Sequence, residues 1–176
     1  MKKRIVDGAE VGRLVATLAD AIAARHQGEK NLALVGIRRR GVPLAQRLAG
    51  LLAERGWTDI PVGAIDITLY RDDLKLVAET PVVRGSEIGF DINGRTLVLV
   101  DDVLYTGRTV RAALTELLDF GRPRAIRLAV LVDRGHRELP IAADFCGRAI
   151  ETGPDDIVDI CLSEEDGEDG VYLTRR

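Results

Sequence analysis

Cysteine is scarce in this 176-residue chain, with Cys146 and Cys161 its only two. Their spacing fits no metal-site pattern, and such a pair reads as two reduced thiols rather than a disulfide framework. Long apolar runs are missing as well; none approaches the ~18 residues of a membrane span. The opening residues, Met1-Lys2-Lys3-Arg4-Ile5-Val6-Asp7-Gly8, are basic with no apolar segment behind them, which argues against a signal peptide. A cytoplasmic location is therefore expected. There is no basic excess: the net charge is −3, so any nucleic-acid contact would need a local patch. No Gly-Lys-Ser/Thr phosphate loop, no Gly-x-Gly-x-x-Gly, no internal repeat and no low-complexity tract is present. The acidic run Glu164-Glu165-Asp166-Gly167-Glu168-Asp169-Gly170 lacks the alternating ligands and distant Glu of a calcium loop, and reads as a solvated hairpin loop.

What is present is ordinary for a globular chain: 46% apolar and 30% charged residues, enough to bury a substantial core in one domain spanning 1–176. The chain is organised around Leu97-Val98-Leu99-Val100-Asp101-Asp102-Val103-Leu104-Tyr105-Thr106-Gly107-Arg108-Thr109. Four apolar residues predict a strand buried on both faces. Two carboxylates follow at its expected end, then a hydroxyl-rich turn, then an amphipathic helix from Val110 to Leu118. In an open α/β sheet, ligands bind at the carboxyl ends of strands. The turn offers amide N–H groups, two hydroxyls and a helix N-terminus, which suit a phosphate. Asp101 and Asp102 suit a sugar diol or a magnesium ion. Any one feature alone reads as a capped helix after a strand. Adjacent aspartates, however, repel unless something cationic or hydroxylated lies between them.

Around this stretch the pattern alternates strand and helix. Residues 9–25 carry Leu14, Val15, Leu18, Ala19 and Ile22 on one helical stripe, and Gly28 reads as a stop. Leu32 to Ile37 is a buried strand. Arg38-Arg39-Arg40-Gly41-Val42-Pro43 follows, with Pro43 at the first turn of a helix through Leu52. Three arginines at a strand end are either a solvated basic turn or an anion loop, in which Gly41 lets amides approach and arginine grips oxygens bidentately. Pro61 to Tyr70 reads as a strand, and the polar stretch on to Asn93 as a lid or hairpin arm. Ala125 to Val132 is another strand, ending in the charged loop Asp133-Arg134-Gly135-His136-Arg137-Glu138-Leu139-Pro140. Three charged loops can thus converge on one crevice. Ile157 to Leu162 and Val171 to Leu173 read as final strands.

The central stretch resembles the phosphoribosyl-diphosphate signature of type I phosphoribosyltransferases, and its wording is similar to their pyrimidine-operon regulator branch, which doubles as a uracil phosphoribosyltransferase. The resemblance covers nearly the whole chain. It implies an α/β fold with a Rossmann-like, mainly parallel sheet flanked by helices, a flexible hood and a small C-terminal strand region. It implies transfer of ribose 5-phosphate from 5-phosphoribosyl 1-diphosphate to uracil, giving UMP and diphosphate, with Mg²⁺ as cofactor and a homodimer or larger assembly. Asp101 and Asp102 would be catalytic and hold ribose or metal, and Val103, Leu104 and Tyr105 would lie along the substrate. Thr106, Gly107, Arg108 and Thr109 would anchor the 5-phosphate. Arg39, Arg40 and Gly41 would form the pyrophosphate loop, where Arg39 replaces a small residue. Arg71, on the hood, would swing onto the diphosphate. Main-chain groups at Arg134 and near Val158 would read the base.

Two alternatives belong to other classes. One is an RNA-binding attenuator of the pyr leader mRNA that senses UMP, its enzyme activity secondary. The positions matching the RNA-binding members read Ala16, Thr17 and Asp20, then Pro140-Ile141-Ala142-Ala143-Asp144, which removes cations and adds an acid. Arg25, His136 and Arg148 remain as RNA-contact candidates. Each lost phosphate contact lowers affinity and salt dependence, so this surface favours the enzyme. The other alternative binds nucleotide without turnover, against which the intact loop from Asp101 to Thr109 argues.

Overall fold

The computed structural model describes residues 1–68 and 85–175. Strand β1 (Lys2–Val6) leads into α1 (Gly8–Arg25), which starts where the Asp7 carboxylate accepts the Glu10 N–H at 2.8 Å. Then come β2 (Leu32–Ile37), α2 (Gly41–Glu54), β3 (Val62–Ile65), β4 (Thr96–Leu104), α3 (Arg108–Leu118) and β5 (Ala125–Asp133). The chain continues through β6 (Phe145–Ala149), β7 (Ile157–Cys161), the single turn α4 (Ser163–Asp166) and β8 (Gly170–Thr174).

Five strands form one parallel sheet in the order β3-β2-β4-β5-β6. Successive residues of its central strands point to opposite faces, and both faces are covered. Leu32, Leu34, Val98 and Val100 pack with the buried stripes of α1 and α2. Ala33, Val35, Ile37, Leu97 and Leu99 pack with Val110, Ala112, Ala113 and Leu117 of α3. This is why β2 and the start of β4 read as continuous apolar runs rather than alternating ones. The expected α/β architecture holds. The small sheet, β1-β8-β7, is antiparallel and joins the first strand to the last two.

Several boundaries differ from expectation. The strand predicted over 61–70 stops at Ile65, because the Asp66 carboxylate turns the chain: it accepts the N–H groups of Thr68 and Gly85, each at 2.9 Å. Strand β4 runs on through Leu104, pairing with β5 as far as Asp133, so Asp101 and Asp102 sit inside the strand rather than beyond it. Strands β1 and β6 carry no periodic apolar signal; each buries a single residue, Val6 or Phe145. The expected hood, with Arg71, falls in 69–84 and lies outside the described residues. At its base, Ala64 and Glu87 exchange backbone hydrogen bonds of 2.9 and 2.8 Å. No helix among the described residues is long and apolar enough to cross a membrane.

Candidate active site

After β2 the chain turns out to the edge strand β3, then returns to place β4 on the other side of β2. The two crossovers diverge there and leave a gap above the carboxyl ends of β2 and β4. A crevice of about 420 Å³ fills it. Ile37, Arg38, Arg39 and Arg40 line one wall, Asp66, Ile67 and Thr68 a second, and Asp101, Asp102, Val103, Tyr105 and Thr109 the floor and far wall. Arg40 and Asp101, 61 residues apart in sequence, thus face one space.

Glycine makes that approach achievable. A β-carbon on Gly41 would lie 2.3 Å from the Val100 carbonyl oxygen, and one on Gly36 2.5 Å from the Gly41 oxygen. Gly41 is buried and brings the start of α2 against β4, a packing role that stands beside the one expected at the ligand.

The acidic floor is strained electrostatically. Asp101 is buried at 7% exposure. Burial foremost, then the adjacent Asp102 carboxyl, holds its own carboxyl well above the usual carboxylate range. Asp101 accepts the Asp102 N–H at 2.9 Å. Asp102 is less buried and accepts the Val103 N–H at 2.8 Å. A cation or a pair of hydroxyls between the two carboxyl groups would relieve the repulsion. Leu104 ends the strand as a core residue packed away from solvent.

Beyond it, Gly107 takes φ +92°, a left-handed conformation that side chains avoid, and α3 begins with no side-chain cap. The Thr106 hydroxyl accepts the Arg108 N–H at 3.2 Å. The 133–140 loop does not line the crevice with the other two, as expected from sequence. It buttresses the turn instead. The N–H groups of Glu138 and Leu139 donate to the Thr106 carbonyl, Arg137 donates to the Tyr105 carbonyl at 2.8 Å, and Arg108 pairs with Glu138 at 2.7 Å.

Arg134 is a buried residue whose guanidinium lies 4.0 Å from the Tyr105 ring centroid. Its N–H already donates to the Leu104 carbonyl and its carbonyl accepts the Thr152 hydroxyl, so its main chain is engaged within the fold. Val158 pairs with Leu173 and packs against the core. Neither residue is among those lining the crevice; Arg134 lines a neighbouring pocket with Asp133, Gly135 and His136 and meets the crevice through Tyr105.

The basic loop is differently arranged from the expected open anion grip. Arg39 pairs with Glu165 at 3.3 Å and Arg40 with Asp166 at 2.7 Å, so the acidic run, largely exposed as expected, is also ion-paired to the basic loop. Arg38, read from sequence as one of the three loop arginines but given no role of its own, lines the crevice and donates to the Gly85 carbonyl at 2.9 Å. Asp66 and Thr68 were also missed; polar residues at the first and third positions past a strand give no spacing signal.

Of the RNA-contact candidates, Arg25 lies 3.6 Å from Asp144 and Arg148 2.6 Å from Glu10. His136 sits at φ +62° with its Nε2 2.7 Å from the Thr152 carbonyl. Asp20, the added acid, accepts from Arg55 at 2.6 Å.

Comparison with known proteins agrees with this geometry. Residues 2–160 match the phosphoribosyl transferase domain. The chain is 55% identical to "Bifunctional protein PyrR" of Roseiflexus sp. (strain RS-1), covering 99% of this chain and 96% of the relative. It is 52% identical to the protein of the same name from Thermus thermophilus, covering 99% and 97%. Among solved structures, a hypoxanthine phosphoribosyltransferase of Trypanosoma cruzi superposes with a TM-score of 0.74 at 19% identity, covering 98% of this chain and 91% of that one. A hypoxanthine-guanine phosphoribosyltransferase of Bacillus anthracis gives 0.73 at 16% identity, covering 99% and 98%. Those two likenesses concern the fold.

Proposed function

Because the chain belongs to the phosphoribosyl transferase family, on the branch of the bifunctional PyrR proteins, we propose that it transfers ribose 5-phosphate from 5-phosphoribosyl 1-diphosphate to N1 of uracil, giving UMP and diphosphate. The carrying observation is that Arg38–Arg40 and Asp101–Asp102 line one crevice at the switch point of the sheet, with Thr109 of α3 beside them. Departure of diphosphate leaves an oxocarbenium-like carbon. Arg39 and Arg40 stabilise the leaving charge, Asp101 and Asp102 hold the ribose hydroxyls, and the turn from Thr106 to Thr109 anchors the 5-phosphate so that remote binding energy orients the reacting carbon. Val103, Leu104 and Tyr105 carry the chain between floor and anchor. The unit is the whole of 1–176.

Mg²⁺ fits this donor set. Two adjacent carboxyl groups face an arginine-lined space, and a hard cation relieves their repulsion. Among the described residues no three acidic, histidine or cysteine groups gather into a cage, so the remaining oxygens would come from substrate and water. When bound, the ion neutralises charge developing on the diphosphate.

One assay tests the reading: protein, Mg²⁺, phosphoribosyl diphosphate and a panel of bases, scored for nucleotide. Uracil as the productive acceptor supports it; turnover of purines instead, or of none, overturns it. The same family carries a second role, regulation of the pyrimidine operon by binding its leader mRNA. Arg25, His136 and Arg148 are the contacts this chain offers, and RNA must first draw Arg25 and Arg148 from Asp144 and Glu10. We assign the assembly to a homodimer or larger, tested by light scattering.

A further inference from the structure

The arginines of the crevice are held from behind. Arg40 precedes α2 and Arg47 lies two turns further on, and both meet the acidic run between β7 and β8. Arg40 gives Nε and Nη2 to the two oxygens of Asp166 at 2.9 and 2.7 Å, a bidentate fork. Asp166 is itself pinned: its carboxylate accepts the Leu162 N–H at 2.9 Å and its N–H donates to the Leu162 carbonyl at 2.7 Å. Arg47 fastens the rest of the run, reaching Glu164 at 2.5 Å and Asp169 at 2.8 Å. Arg47 is not among the crevice residues; Arg40 is. Arg39 is held more loosely, by one 3.3 Å contact, and its side chain is 47% exposed against 28% for Arg40.

We propose that Asp166 is a positioning residue for the transfer reaction: it fixes the Arg40 guanidinium so that the N–H groups it leaves unused meet the departing diphosphate. A guanidinium has five N–H donors, and the fork to Asp166 takes two along one edge. The Nη1 pair and the outer Nη2 hydrogen are left for a ligand. An arginine without that fork must freeze its rotamers when diphosphate binds, which weakens binding; a pre-set one does not. Leu162 keeps Asp166 in place, while the clamp through Arg47 fastens Glu164 and Asp169 beside the fork without taking part in it. This inference rests on the phosphoribosyl diphosphate reading of the crevice.

Titration calorimetry with inorganic diphosphate and Mg²⁺ tests it, alongside steady-state kinetics. Asp166→Asn is expected to weaken diphosphate binding about tenfold and to raise KM for phosphoribosyl diphosphate by a similar factor, with kcat moving less. Asp166→Glu, gentler on the fold, is expected to lie between. In an Arg40→Ala background, Asp166→Asn adds no further loss, which is the signature of a shared role. Asp169→Asn, which loosens Arg47 and the Ser163 N–H but leaves the Arg40–Asp166 fork intact, is expected to leave diphosphate binding within twofold. An unmoved Kd in both Asp166 variants, an equal loss with and without Arg40, or a matching loss in Asp169→Asn overturns the inference. A wild-type chain that binds diphosphate with this coupling but makes no UMP sinks the uracil reading and spares Asp166. Normal UMP formation with an unmoved Asp166→Asn does the reverse, and a wild-type chain that binds no diphosphate sinks both.

Discussion

Gly41 and Val100 touch backbone to backbone: the place of a β-carbon on Gly41 is 2.3 Å from the Val100 carbonyl oxygen. Neither partner can yield, since one is the start of α2 and the other the middle of β4. Gly41→Ala should therefore cost about 3 kcal/mol in urea denaturation. Gly50, in the same helix, has nothing within 4 Å of its β-carbon position, and Gly50→Ala should gain about 0.5–1 kcal/mol. Equal effects at the two sites would contradict the packing described.

Asp101 opposes the stability of the unliganded fold. Replacing it by Asn removes a buried acid and keeps an oxygen for the Asp102 N–H. Asp101→Asn should raise Tm by about 2–4 °C at neutral pH while lowering kcat/KM about 100-fold or more. The sign follows from the raised carboxyl. Its proton is favoured in the fold, so the wild type is least penalised in acid and loses stability as pH rises past the usual carboxylate range. The Tm gap between the variant and the wild type should widen with pH. A gap that narrows would contradict it.

The Arg40–Asp166 link titrates the other way. Its hydrogen bonds to Arg40 hold the Asp166 carboxyl down to about 2. A lowered carboxyl stabilises the fold above its unfolded value of about 4 and loses that contribution as pH falls toward 2. Acid unfolding followed by circular dichroism should show Arg40→Ala less stable than wild type at pH 5, with the difference shrinking below pH 4.

The Arg134 guanidinium carbon lies over the Tyr105 ring, 4.0 Å from its centroid, and Arg134 also reaches the Gly153 carbonyl at 3.3 Å. A lysine cannot make both contacts with one compact charge. Arg134→Lys should cost about 1–2 kcal/mol in urea denaturation. Loss of the stack also frees Tyr105 in the crevice wall, so KM for phosphoribosyl diphosphate should rise with it.

For RNA, the acids beside Arg25 and Arg148 set the outcome. Asp144→Asn together with Glu10→Gln releases both cations. Affinity for pyr leader RNA should rise, and the log–log salt slope should steepen by about 0.7 for each further phosphate neutralised. A wild-type chain that already binds with a steep slope at micromolar protein would overturn the preference for the enzyme.

Much of this was legible in the residues. Leu32 to Ile37 and Leu97 to Val100 announce themselves because a strand covered on both faces needs apolar side chains at every position. Asp101 to Thr109 carries its chemistry in consecutive residues, so it too reads directly. What stayed hidden depends on partners far away in sequence. Asp166 looks like one acid in a solvated run until the fold brings Arg40, 126 residues earlier, against it. Arg134 looks like a loop cation until Tyr105 lies beneath it. β1, with three charged residues in five, becomes a strand only because β8 offers it an edge.

That last pairing has a consequence for folding. Lys2 is matched with Thr174, so β1 finds its partner across 172 positions of sequence, whereas the strands of the parallel sheet pair with nearer neighbours. Loop-closure entropy is lost before so distant a pairing repays it. The small sheet behind Arg40 should thus be the last part of the fold to gather.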